Sequence, residues 1–310
     1  MAALNNIMNL VSCGSGAVLG TGLKGCRPFL KKVSSVIFTP AGFRFDGSRE
    51  LDLEYLQEEQ DAGNIIILSG IRAFTDNTPD NTNEELEDGS LQLTRLGLYQ
   101  FNLKFVNGLY FNRALASLSG YGNYDVLFVD TDGSLLGTEA INGSLKGFTV
   151  GMVQSDKLQF ATDAQGQREG VTFQLLDRAE LDSEYVFVQG AQLEFNLNRL
   201  PGINQVRLSY VTTPVDGATT LHIKAVAEQD GKPIDGLIPA NFLVDINGVS
   251  AEPSAVVQNA DKTYNLTVPA LATNDEVSTQ LYNSVLNQNI VRLDEDGYKS
   301  NNVYTVVLAA

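Results

Sequence analysis

The sequence predicts a mainly β protein: a β-sandwich or barrel with one or two short helices, followed by a second β-sandwich. Three observations carry this. Apolar residues recur at period two in short runs such as Phe101, Leu103 and Phe105, which gives strands with a buried face. Turn residues separate the runs, most plainly Asp130-Thr131-Asp132-Gly133 between Tyr124–Val129 and Leu135–Leu136. Long amphipathic helices do not alternate with the strands, as a parallel α/β fold would require.

The stretch Leu96–Val153 organises the N-terminal part. Its first strand carries Leu96, Leu98, Tyr99, Phe101, Leu103 and Phe105. Phe111, Ala114, Leu115 and Leu118 follow at helical spacing, with Gly120 placed to end that helix. Upstream, Val33–Thr39 (VSSVIFT) is a strand closed by Pro40-Ala41-Gly42. Asp46 or Ser48 is placed to cap a helix running to Ala62, with Leu53 and Leu56 on its buried side and Gly63 at its exit. Ile65–Leu68 is a β-branched strand. Downstream, Leu145–Thr162 (LKGFTVGMVQ, then KLQFAT), Val171–Leu175 and Tyr185–Val188 continue the meander, with Asp177–Glu184 as a charged connector.

Leu200-Pro201-Gly202 breaks the pattern and sets a boundary between domains 1–202 and 203–310. Beyond it, strands are expected at Gln205–Val211, Leu221–Ala227, Phe242–Ile246, Ala255–Gln258, Tyr264–Val268 and Val303–Leu308. The run Asp261–Val268 (DKTYNLTV) is similar to the late strand of immunoglobulin-like domains, where a tyrosine after an acidic turn bonds back across the sandwich corner. Asn274–Asn289 departs from that pattern. Val277, Leu281 and Val285 recur every four residues and predict an inserted helix or an irregular strand pair.

Charge weighs against one class of function. The net charge is −16, and both parts share it: 15 Lys+Arg against 25 Asp+Glu up to Gly202, and 6 against 12 from Ile203. Binding to nucleic acid needs Lys and Arg to displace counterions, so DNA or RNA recognition is disfavoured. A surface that DNA passes without adhering is compatible. No stretch reaches the ~20 apolar residues of a membrane span. Asn9–Gly14 is similar to a lipoprotein cleavage box, but no Lys or Arg precedes it and Asn5, Asn6 and Asn9 interrupt the apolar run.

Chemistry-bearing residues are sparse. Cys13 and Cys26 are the two cysteines and are read as free structural thiols rather than a bridge. The single histidine, His222, lies in a predicted strand with no nucleophile motif beside it. Asp130 and Asp132 form the neatest carboxylate pair, yet they occupy a turn that favours Asp for backbone reasons. The expectation is no enzyme, no cofactor and no metal site.

Candidate contact residues fall in three places. Thr75–Ser90 (TDNTPDNTNEELEDGS) holds Asp76, Asp80, Glu84, Glu85, Glu87 and Asp88 with little to bury, and reads as a long loop or projecting hairpin that orders on a neighbouring subunit. The glycine-rich residues 12–28 lack the ending of a phosphate loop and read as an extended arm. With Lys31, that arm's Lys24 and Arg27 complete the inter-subunit candidates. Glu54, Glu58, Glu59 and Asp61 lie on the first helix as a solvated face that could line an acidic pore.

This organisation resembles phage tail tube proteins. The phrases Gly20–Val33 (GTGLKGCRPFLKKV), Gly108–Thr138 and Leu145–Val153 (LKGFTVGMV) are similar to virion structural proteins of phages infecting Bacteroidetes. The resemblance implies sandwiches that form rings, usually hexameric, which stack into a tube with an acidic lumen for DNA passage. It further implies a loop and arm reaching the next ring, an immunoglobulin-like domain outside, other virion proteins as partners, no membrane, and assembly in the host cytoplasm. A neck ring, a capsid decoration protein, or a surface adhesin or carbohydrate-binding lipoprotein are the alternatives.

Overall fold

A computed structural model describes residues 30–139, 144–163, 166–193 and 195–309. The chain is mainly β and divides into two compact units, residues 1–200 and 201–310. Among the described residues no helix is long and apolar enough to cross a membrane.

In the N-terminal unit the strands are β1 (Val33–Pro40), β2 (Ile66–Ser69), β3 (Ala73–Asp76), β4 (Thr82–Glu85), β5 (Leu91–Arg95), β6 (Gln100–Phe105), β7 (Gly120–Tyr121), β8 (Tyr124–Asp130), β9 (Leu135–Glu139), β10 (Leu145–Lys146), β11 (Phe148–Ser155), β12 (Glu169–Leu175) and β13 (Tyr185–Val188). The helices are α1 (Leu53–Asp61), α2 (Leu109–Ser117) and α3 (Ala179–Asp182). Antiparallel pairing runs β1–β8–β11–β12–β6–β3. β2 pairs β1 and runs through residues 70–72 into β3, with Ile71 N donating to the Ser34 carbonyl of β1 (3.3 Å) and Arg72 N to the Lys104 carbonyl of β6 (2.8 Å), so one bent segment bridges the two ends of the path in a barrel-like arrangement. β9 and β13 extend it outward from the far half of β8.

Alternation places two cores on the two faces of β1 and β8. Val36, Phe38, Val126 and Phe128 point inward and pack with Leu103, Phe105, Phe148 and Phe173. Ile37, Leu127 and Val129 point outward and are covered by Tyr55 and Leu56 of α1 and by Val186 and Val188 of β13. Both faces are therefore dry, which explains the unbroken apolar runs of these strands. The Asp130–Gly133 turn works as its sequence requires: Gly133 takes φ 79°, and the Asp130 carboxylate accepts from the amides of Asp132 (2.9 Å) and Ser134 (2.8 Å).

Helix α2 plugs the end of the barrel where β6 finishes, burying Leu115 and Leu118 in the inner core with Phe111 against them. Its N-cap is Gly108, which has no side chain to offer. The cap comes instead from Glu169 of β12, itself buried. Its carboxylate accepts from the amides of Asn107 (3.1 Å) and Gly108 (3.0 Å) and from Gln167 Nε2 (2.9 Å). A carboxylate there meets both the unpaired amides and the positive end of the helix.

Several expectations need correction. Helix α1 starts later than Asp46 or Ser48: Asp52 is its N-cap, accepting from Tyr55 N at 2.8 Å, while Asp46 closes a turn onto Ser48 (2.9 Å). Leu96 and Leu98 precede the strand, which begins at Gln100. Ala114 is exposed, and α2 ends at Ser117 with Leu118 as its C-cap, before Gly120, which starts β7. KLQFAT forms no strand; only Gln159 bridges to Arg168.

The C-terminal unit contains β14 (Ile203–Tyr210), β15 (Thr220–Ala227), β16 (Phe242–Ile246), β17 (Val249–Ala251), β18 (Ala255–Gln258), β19 (Thr263–Thr267), β20 (Glu276–Leu281), β21 (Val291–Leu293), β22 (Asp296–Ser300) and β23 (Val303–Val306). A sheet ordered β18-β19-β15-β14-β22-β21 and one ordered β17-β16-β20-β23 share a single core around Leu221, Ile223, Phe242, Tyr264 and Val277. Tyr264 does bond back to the backbone, donating to the Ile234 carbonyl at 2.6 Å. That partner is 30 residues upstream, in the connection before β16, rather than a few residues away as in an immunoglobulin tyrosine corner. Of the two alternatives for Asn274–Asn289 the helix does not form and irregular strand does: Val277, Thr279 and Leu281 are buried at period two in β20, Asn283 bridges to Gln288, and Val285 is 82% exposed.

Candidate assembly surface

The chain's most conspicuous surface feature is the hairpin of β4 and β5. Asn83 pairs with Leu93, Glu84 with Gln92 and Glu85 with Leu91, so Leu91 and Leu93 share one face with Asn83 and Glu85. Every residue from 79 to 96 is exposed, with Leu91 at 71%. The segment carries five carboxylates against one guanidinium, that of Arg95, together with the exposed Leu86, Leu91, Leu93 and Leu96. A lone two-stranded hairpin is marginally stable in water, so this one depends on its root or on a neighbour.

The root is firmly built. Asn81 Oδ1 accepts from Gly97 N (3.0 Å) and from Arg178 Nη1 (3.1 Å), and the same Nη1 donates to the Gly97 carbonyl (3.3 Å). Arg178 Nε donates to Asp182 Oδ2 (2.8 Å), its guanidinium lies 5.4 Å from the Tyr99 ring centroid, and the Tyr99 hydroxyl donates to Asp182. The Tyr99 and Arg178 hydrogen bonds hold the Asp182 carboxyl below its ordinary range. Position 97 admits only glycine, because a Cβ there would stand 1.8 Å from the Pro79 carbonyl oxygen.

The structure distributes the predicted contact residues unevenly. Asp76 ends β3 and its carboxylate accepts from Thr78 N (2.9 Å). Asp80 lies at the hairpin root, Glu84 and Glu85 on β4, and Glu87 and Asp88 in the turn. Ser90 donates from its hydroxyl (2.6 Å) and amide (2.9 Å) to Asp88, which draws that carboxyl down. The last five thus share one projection, while Asp76 belongs to the barrel strand β3, paired with Phe101; two segments of the expected loop are strands. Lys31 is engaged within its own chain, pairing with Asp132 at 2.6 Å. Lys24 and Arg27, like Cys13 and Cys26, lie outside the described residues. Glu54, Glu58, Glu59 and Asp61 share α1, which packs through Tyr55 and Leu56; Glu54 and Glu58 are exposed, Arg49 pairs with Glu58, and Asn64 Nδ2 donates to Glu59 (2.7 Å).

Sequence reasoning missed the apolar half of the hairpin and its clamp. Leu91-Gln92-Leu93 alternates and could have extended the projection past Ser90. Arg178 gave no local signal of its clamping role, since its partners at the hairpin root, Asn81 and Gly97, are about 80 to 100 residues away in sequence.

Elsewhere the polar clusters are structural. Among the described residues no group of three His, Cys, Asp or Glu side chains could hold a metal ion. His222 Nε2 stands 2.8 Å from Thr263 Oγ1, which donates to Asp261 Oδ1 at 2.6 Å and accepts from Asn259 Nδ2 at 2.8 Å. A hydroxyl has one proton, so His222 must be the donor here. The chain His222–Thr263–Asp261 therefore runs the wrong way for His222 to act as base on the threonine. No known family model matches the sequence, and no curated protein matches it.

Proposed function

We propose that this chain is a structural subunit that assembles with copies of itself into rings stacking as a tube, in the manner of the phage tail tube proteins it resembles. Its role in this reading is architectural and non-enzymatic, the virion is its location, and DNA passes its acidic surface without specific binding. The observation that carries the reading is the hairpin of residues 79–96, clamped at its root yet exposed along its whole length with four leucines uncovered. Such an element is stabilised when a neighbour covers it.

Negative-stain electron microscopy with light scattering tests the reading. Purified protein is expected to form rings or tubes with a central lumen, and deletion of residues 82–95 to leave a folded chain that does not stack. Normal tubes from the deletion, or a uniform monomer from the unaltered chain, would refute it.

A further inference from the structure

The two ends of the barrel differ in chemistry. β6 begins beside the hairpin root, where Asn77 N donates to the Gln100 carbonyl (2.8 Å), and ends at Phe105 opposite Glu169. Those ends are about 17 Å apart at ~3.3 Å per residue. The hairpin end is acidic and leucine-rich. The opposite end carries the outer side of α2 and the loop after β11. There Leu109 (59%), Tyr110 (54%) and Phe160 (75%) are exposed. Arg113, Lys157 and Arg168 accompany them, all exposed and none forming an ion pair among the described residues. Asp163 is the one exposed carboxylate in the described residues 106–118 and 157–168, since Asp156 is half-buried against Lys104 and Glu169 is buried under α2.

We propose that this basic, apolar end is the seat for the β4–β5 hairpin of a second copy of the chain. The match is twofold: carboxylates meet guanidinium and ammonium groups, and leucines meet the uncovered ring faces and Leu109. The hairpin and its seat are different surfaces at opposite ends of one barrel. The contact is therefore head-to-tail, and repetition gives an open stack rather than a closed dimer. The inference rests on the assembly reading above and specifies its partner surface.

Charge reversal tests it in the full chain, because Glu85, which shares the face of Leu91 and Leu93, Glu87, Lys157 and Arg168 are exposed and none of their side chains is used in the fold described here. One variant combines Glu85→Lys with Glu87→Lys; a second combines Lys157→Glu with Arg168→Glu; a third carries all four. Circular dichroism verifies folding, and sedimentation reads the association constant. Each pair of reversals alone is expected to weaken association at least about tenfold, and the four together to restore it to within about threefold of the unaltered chain. A monomeric unaltered chain would refute the assembly reading and this seat with it. An assembling chain whose association ignores either pair, or stays weak with all four, would overturn the seat alone.

Discussion

Replacing Glu169 with alanine is expected to loosen the plug at the end of the barrel. The substitution removes a buried carboxylate that accepts three hydrogen bonds, from Asn107 N, Gly108 N and Gln167 Nε2. Hydrogen bonds to an ionised group contribute about 1.5–3 kcal/mol each, but recovered hydration of exposed Asn107 and half-buried Gln167 and relief of the buried charge offset part of this. A net loss of about 3 kcal/mol is the expectation for the N-terminal unit. At about 3 °C per kcal/mol for a unit of roughly 200 residues, its thermal transition falls by about 9 °C. Calorimetry of the full chain reads this transition beside that of the C-terminal unit, which stays in place. Amide exchange at Asn107 and Gly108 adds a local readout, since both N–H groups lose their acceptor. A shift below about 2 °C with unchanged exchange would refute the capping role assigned to Glu169.

Three further outcomes follow from other sites. Tyr264→Phe leaves the Ile234 carbonyl without its 2.6 Å donor in a buried place and is expected to destabilise the C-terminal unit by about 1–3 kcal/mol, read as a lower urea midpoint. Asp156 and Asp125 respond to acid with opposite signs. At Asp156 burial pushes the carboxyl up, but hydrogen bonds from Lys104, Asn102 and Thr172 outweigh it and hold the carboxyl below its ordinary 3.8. Its stabilisation is complete above 3.8 and is lost as pH falls through the lower folded value. At Asp125 burial dominates and raises the carboxyl despite the Gly42 amide and Lys146. Stability from this group is present below 3.8 and is lost as pH rises through the higher folded value, so Asp125→Asn flattens that slope in a pH series of melts. Gly97→Ala forces the root apart because of the 1.8 Å approach to the Pro79 carbonyl oxygen. Faster amide exchange across β4 and β5 is expected, and unchanged protection there would contradict the clamp.

The parts of the fold legible in the sequence are those encoded by near neighbours. β1, β8 and the turn after Asp130 could be placed because alternation and turn chemistry act within a few residues. The start of α1 was less clear because Asp46, Ser48 and Asp52 are all good capping residues, and only the fold shows that Asp46 is occupied by its own turn. The spacing of Val277, Leu281 and Val285 left helix and strand both open for a simple reason: every fourth residue is also every second one, so Val277 and Leu281 suit a strand as well as a helix. Barrel closure through residues 70–72 depends on pairings the local pattern does not contain. The candidate surface was half legible. Its carboxylates stand out as a polar run, but the leucines of β5 look like an ordinary half-buried strand until the structure shows nothing beneath them. The seat was not legible, since α2 and the loop after β11 meet at one end only after folding.

The two-sided burial of β1 has a consequence for synthesis of the chain. Its partner β8 ends at Asp130, so Val33–Pro40 must remain unpaired on that side while roughly a hundred further residues are made. At about 5–20 residues per second this lasts on the order of 5–20 s. During that time VSSVIFTP is an apolar, β-branched segment with both faces and one edge open. The β2 strand, which pairs with its other edge, is complete about sixty residues sooner and is the first partner available. Early pairing of β1 with β2 would shield one edge of this strand while the rest of the barrel is still being made.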